Sequence, residues 1–179
     1  MQYSVDAQSL DNEFIHATNH SVQSKAEGFC FEDCACTMAE LEERLIEAGH
    51  AGGQNAKENI FRQMVTITKG VFSSVESSRK KLFTLPECFE LYGFDFMVSD
   101  DMNVWVLEVN ASPDISLYEE HYRHLAKGLV DDIVALAVDP YFPPHPKCAA
   151  TNKGFVHVMD MLPPDDCAEA VVSANKTSL

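Results

Sequence analysis

The chain has 179 residues, 46% of them hydrophobic, with 13 Lys and Arg against 28 Asp and Glu for a formal charge of −15. That length suits one domain or a substantial piece of a larger one, and the apolar fraction excludes wholesale disorder. No apolar run approaches the roughly 18 residues of a membrane span, no secretory signal pattern is visible, and the acidic balance argues against unaided binding to nucleic acid or anionic membranes.

Residues 1–12 are polar and aperiodic and read as a loose start. Phe14–His20 is short, β-compatible and ends in turn-forming residues. A loop rich in Ser, Gly and Cys follows to about Cys36. Its Cys30-x3-Cys34-x-Cys36 spacing invites a metal reading, but a structural zinc site needs four ligands, usually as two knuckles. No second knuckle follows, and His50 is the nearest downstream histidine. The six cysteines, Cys30, Cys34, Cys36, Cys88, Cys148 and Cys167, are therefore expected as ordinary reduced thiols.

Thr37-Met38-Ala39-Glu40 is a capping box. It predicts a helix from about Met38 to Ala48, ended by Gly49, Gly52 and Gly53. Asn55-Ala56-Lys57-Glu58 repeats the pattern and opens a longer helix to about Lys81. Ile60, Phe61, Met64, Ile67, Val71 and Phe72 recur there at helical spacing. Gly70 is an interior cost of about 1 kcal/mol, and Arg79-Lys80-Lys81 complements the helix dipole. After Pro86 the pattern turns to strand. Phe89–Val98 and Val104–Asn110 form an antiparallel hairpin around the polar turn Ser99–Asn103. Both strands are apolar at nearly every position, which predicts burial on both faces, with Tyr92, Phe94 and Phe96 as core. Ser112-Pro113 stops the second strand, and Ser116 caps a helix from about Leu117 to Val138. Residues 143–179 read as a mostly flexible tail, with Phe155–Met159 as a candidate edge strand.

Three polar residues interrupt the hairpin: Asp95, Glu108 and Asn110. A loop from Asp100 to Asn103 pairs Ser99 with Val104, and counting back sets Asp95 opposite Glu108. Directly opposite residues share a face, about 4.5–5.5 Å apart at Cβ, and Asn110 follows two residues on. Two carboxylates so close either share a proton or hold a cation. An oxygen-only donor set suits Mg²⁺ or Mn²⁺ rather than zinc. Such an ion keeps positions for water and phosphate oxygens, which points to nucleotide phosphoryl chemistry.

Tyr92-Gly93-Phe94-Asp95-Phe96-Met97 and Trp105-Val106-Leu107-Glu108-Val109-Asn110-Ala111-Ser112-Pro113 resemble the metal-binding end of the tubulin–tyrosine ligase family. His16-Ala17-Thr18-Asn19-His20-Ser21-Val22-Gln23 resembles that family's His-x-Thr-Asn-x-x-x-Gln segment. The resemblance covers roughly residues 12–142. It implies an α/β (α+β) fold: the C-terminal lobe of an ATP-grasp domain, mainly antiparallel sheet with packed helices. Residues 1–142 would be a partial domain lacking the N-terminal lobe. The implied activity is an ATP-dependent carboxylate–amine ligase. ATP converts a protein carboxylate to an acyl phosphate, and the amine of a free tyrosine, glutamate or glycine displaces phosphate. The implied partners are ATP, the amino acid and a protein acceptor, tubulin by family, in the cytoplasm or at the cytoskeleton.

By motif position, Asp95, Glu108 and Asn110 would hold Mg²⁺ (or Mn²⁺). Thr18 and Asn19, with Asp95 and Glu108, would line the nucleotide site. No residue is assigned as catalytic, and His16 is equally readable as structural. The upstream lobe of such enzymes supplies phosphate-binding lysines that residues 1–12 do not replace, so the chain by itself is expected neither to bind ATP tightly nor to catalyse. The alternative is a catalytically inactive, ATP-grasp-derived interaction module. Acidic tubulin tails would need a local basic surface, and Arg62, Lys69 and residues 79–81 are the candidates.

Overall fold

The computed structural model describes residues 4–6, 8–76, 88–115, 123–143 and 154–161. Their elements run α1 (Glu13–His16), α2 (His20–Gln23), α3 (Phe31–Cys34), α4 (Met38–Glu47), α5 (Ala56–Glu76), β1 (Tyr92–Val98), β2 (Val104–Ala111) and α6 (Arg123–Ala137). The chain divides into two compact units, Met1–Glu58 and Asn59–Leu179. Helices combined with an antiparallel two-stranded sheet make the described fold α+β.

In the first unit, the β-compatible stretch Phe14–His20 forms no strand: it runs from α1 through a non-helical Ala17–Asn19 into α2. Asn12 caps α1 by accepting from the Phe14 amide at 3.1 Å, and Asn19 caps α2 by accepting from the Ser21 amide at 2.8 Å. Two short polar acceptors thus claim amides that a strand would need for a ladder. α4 follows its sequence closely. Thr37 Oγ1 accepts from the Glu40 amide at 3.2 Å, and Glu40 accepts from the Thr37 amide at 2.6 Å. At its other end Gly49 takes φ 68°, with the Gly49 amide on Ile46 O and the His50 amide on Leu45 O, each at 2.9 Å. Those two bonds make a Schellman motif. The start of α5 differs from expectation. Asn55 sits at φ 59°, outside the extended range of an N-cap, and Glu42 from α4 accepts the Lys57 amide at 2.8 Å.

In the second unit, α5 supports the hairpin. Phe72 meets Tyr92 and Phe94 edge-on or tilted, with ring centroids 5.9 and 6.0 Å away. Gln63 reaches the turn, donating to Met102 O at 2.9 Å and accepting from the Val104 amide at 3.1 Å. Met102 and Val104 are among the few buried apolar residues of the described chain. The hairpin is therefore buried on one face, not two. Phe94, Phe96 and Val104 face α5, whereas Met97 and Trp105 are 51% and 57% exposed. Among the described residues nothing covers that second face.

The anticipated strand at Phe155–Met159 is an irregular segment instead. It is tied back by the Gly154 amide, which donates to Asp132 at 2.8 Å, and by a 3.7 Å contact between Ser73 Oγ and Met159 Sδ. The strand expected from Phe89 begins at Tyr92, and α6 ends at Ala137. The 79–81 basic run, the Ser116 cap, Cys148, Cys167 and most of the tail lie outside the described residues.

Candidate functional site

The pairing of Asp95 with Glu108 holds, by a route the spacing does not disclose. Next to the turn, Val98 pairs with Val104, Met97 with Trp105 and Phe96 with Val106. That register alone would set Asp95 against Leu107. A bulge between Phe96 and Asp95 leaves Leu107 unpaired, and Asp95 then meets Glu108, with Val109 opposite Phe94 and Asn110 opposite Gly93. The turn is one residue longer than counted, and the bulge compensates. Such extra residues bend a strand and re-aim its side chains.

Asn110 Nδ2 donates to Glu108 Oε1 at 3.1 Å, so the three polar side chains form one group. The Asp95 pKa is raised. Partial desolvation contributes most, followed by the hydrogen bond and the negative charge of Glu108. The pair is exposed on the open face, not buried as the apolar flanks had suggested. Two facing carboxylates and an amide carbonyl make a hard-oxygen donor set that fits a small divalent cation. Among the described residues, no three His, Cys, Asp or Glu side chains cluster as a metal site, Cys30, Cys34 and Cys36 included. The four described cysteines are free thiols.

Two further residues shape this site. A Cβ on Gly93 would lie 2.8 Å from Pro113 Cβ, so the absence of a side chain there lets Pro113 close over the strand beside Asn110. Gln63 holds the turn end of β2. A glycine inside a strand was the available signal for the first. An amide beside Ile60 and Ile67 on the apolar side of a helix was the signal for the second.

Thr18 and Asn19 belong to the first unit. The Asn19 side-chain carbonyl accepts from both the amide and the hydroxyl of Ser21, so its local role is the α2 cap. Thr18 is exposed and lines a cavity of about 450 Å³ with His20, Phe14, Phe29 and Phe31. Gln23 binds the segment together, donating to Phe14 O at 2.9 Å and to Ala17 O. His16 Nε2 lies 2.9 Å from Ser9 O, a local structural contact.

Residues 1–146 match the tubulin-tyrosine ligase family model, a span that includes both the His16–Gln23 segment and the whole hairpin. The chain belongs to the tubulin-tyrosine ligase family. It is 30% identical over 124 residues to a probable tubulin polyglutamylase of Mus musculus, covering 69% of this chain and 26% of the relative. It is 30% identical over 161 residues to a probable tubulin–tyrosine ligase of Saccharomyces cerevisiae, covering 88% and 20%. A tubulin glycylase of Tetrahymena thermophila is 27% identical over 138 residues, covering 75% and 13%. The chain thus spans about a quarter or less of the length of these relatives. No solved structure matches significantly. No described helix of this family member is long and apolar enough to cross a membrane.

Proposed function

We propose that this chain carries the metal-binding and part of the nucleotide-binding face of an ATP-dependent carboxylate–amine ligase of ATP-grasp type. The observation that carries the reading is the bulged pairing that sets Asp95 against Glu108 with Asn110 alongside. Those three residues would hold Mg²⁺ or Mn²⁺. The bound ion would supply positive charge to the phosphate oxygens of ATP as the γ-phosphoryl group moves to a carboxylate. The Asn110 amide holds one Glu108 oxygen in place, and Gly93 with Pro113 fixes the strand from which Asn110 projects. Thr18 and Asn19 would contribute to the nucleotide side, with Gln23 keeping their loop in shape.

The reaction joins an amino acid to a protein carboxylate through an acyl phosphate, with tubulin as the acceptor and the cytoplasm or cytoskeleton as the location. The relatives' names include polyglutamylase, glycylase and tyrosine ligase. Exposed Arg62 and Lys69 on α5 are available to an acidic acceptor.

Mn²⁺ titration of the full chain, followed by electron paramagnetic resonance, tests the metal assignment without requiring turnover. The parent is expected to bind, and Asp95→Asn combined with Glu108→Gln is expected to lose at least about tenfold in affinity, since truncating charged ligands in a site commonly costs more than 1.4 kcal/mol. Equal binding by the two proteins removes the assignment.

A further inference from the structure

Two registers of the hairpin would set Asp95 against Glu108, and the structure adopts one of them. In the observed one, the turn spans Ser99–Asn103 and the strand carries a bulge at Leu107. In the other, a shorter turn from Asp100 to Asn103 pairs Ser99 with Val104 and needs no bulge. The two differ between Val104 and Leu107, because moving the pairing by one residue exchanges faces. In the observed register Val104 and Val106 lie opposite Val98 and Phe96, on the α5 side, and Trp105 lies opposite Met97 on the acid-pair face. In the bulge-free register Val104 and Val106 would turn to the acid-pair face, and Trp105 would turn inward opposite Val98.

Exposing the chain's one tryptophan runs against simple apolar burial, since Trp105 is 57% exposed in the observed register. Something specific must hold the bulge. Gln63 is placed to do so, because it binds the backbone on either side of Asn103, at the end of the turn and the first residue of β2. Its amide donates to Met102 O and its carbonyl accepts from the Val104 amide. In the bulge-free register the Val104 amide would lie in the turn-proximal pair with Ser99 and would be lost to Gln63. Met102, held at φ 63° and 8% exposed, is fixed by the same grip. The turn adds the Ser99 amide to Asn103 O at 2.9 Å, and Trp105 Nε1 donates to Ser99 Oγ at 3.3 Å.

We propose that Gln63 is a positioning residue for the turn half of the hairpin that carries the candidate site. By binding Met102 O and the Val104 amide it selects the bulged register, and so places Trp105 on the same face as Asp95 and Glu108. The register is a property of the polypeptide alone. The significance of that face for catalysis rests on the ligase reading above.

The test is made on the full chain without metal or nucleotide. Gln63→Met keeps the side-chain volume and loses both bonds. Its expected signature, below the unfolding transition, is a blue shift of Trp105 emission and a fall in acrylamide quenching. Cross-strand NMR contacts should move from Val98–Val104 to Ser99–Val104. A residue that merely adds stability would lower the melting temperature and leave native emission and pairing unchanged, and that result overturns the proposal. Should Gln63→Met fail to fold, NMR contacts in the parent decide: Val98–Val104 pairing together with a Gln63 side-chain amide contact to Val104 supports the grip, and Ser99–Val104 pairing overturns it. The Mn²⁺ titration reads the ligase assignment separately. A register shift in a protein that binds no Mn²⁺ sinks that assignment and leaves this one standing.

Discussion

One hairpin carries two acidic sites that behave in opposite ways. At the turn, Asp101 is surrounded by donors. Ser99 Oγ donates to Oδ1 at 2.5 Å, and the Asn103 side chain donates to Oδ2 at 2.6 Å. Its pKa is lowered, first by the Ser99 hydrogen bond and then by the Asn103 amide. A few residues away along the ladder the Asp95 pKa is raised, first by partial desolvation and then by the hydrogen bond and charge of the facing Glu108. Both are aspartates on an exposed surface of the same element. The turn acid has its charge satisfied by the protein, which is how a structural acid looks. The ladder acid has a like charge for a neighbour, and its own charge is left without a donor of that kind.

The largest expected effect tests what holds the ladder site in shape. Gly93→Ala drives a Cβ to 2.8 Å from a rigid proline ring. Either Pro113 or the strand must move, at a cost of about 1–3 kcal/mol typical of overpacking. Urea unfolding should show a lower midpoint with an unchanged slope. Because Gly93 is opposite Asn110, the variant should also weaken Mn²⁺ binding. An unchanged midpoint would mean that Pro113 is free to swing away and does not fix the site.

The next effect tests the sign of the ladder acid. A carboxyl with a raised native pKa binds its proton more tightly in the folded than in the unfolded chain. Stability therefore falls as pH rises from the unfolded carboxylate range through the native Asp95 pKa. Asp95→Asn removes that fall, so in metal-free buffer at neutral pH the variant should melt higher than the parent. Mn²⁺ should stabilise the parent and leave Asp95→Asn unmoved. A lower melting temperature for the metal-free variant would place Asp95 with the satisfied acids and break the contrast.

Much of this was legible in sequence where the determinant is local. The Thr37 box, the Gly49 stop and the antiparallel hairpin depend on neighbours in the chain, and each is present. The Asp95–Glu108 pairing was legible too, but through two errors that cancel: a turn counted one residue short and a bulge not foreseen. Composition does not reveal a bulge here, since Val106 and Leu107 are both apolar and fit either face equally. The same apolar flanks suggested burial on both faces, because pattern records which side chains could be buried and not what is available to cover them. Phe14–His20 misled for a different reason. Its β-compatible residues are overruled by Asn12 and Asn19, whose caps act at short range. Gln63 lies 39 residues before Met102 in the chain, and nothing local marks it as a clamp. The roles proposed for Thr18 and Asn19 toward ATP rest on motif resemblance, and those proposed for Asp95, Glu108 and Asn110 toward a metal rest on resemblance and on their grouping in the hairpin.

The smallest effect is at the turn, and it completes the contrast. Asp101 has a depressed native pKa, so its contribution to stability is present above the unfolded carboxylate range and is lost as pH falls through the native value. Asp101→Asn removes that acid-side loss and lowers stability at neutral pH, the reverse of Asp95→Asn. Thermal melts from neutral pH into the acid range should therefore show the two profiles departing from the parent in opposite directions. Full exposure and salt screening keep the Asp101 departure small. It should shrink further in high salt less than a bare ion pair would, because hydroxyl and amide donors, not a cation, set the shift. Since Ser99 and Asn103 also close the turn that Gln63 grips, Trp105 emission should stay near the parent's in Asp101→Asn. A shift as large as that of Gln63→Met would move the control of register from the helix to the turn itself.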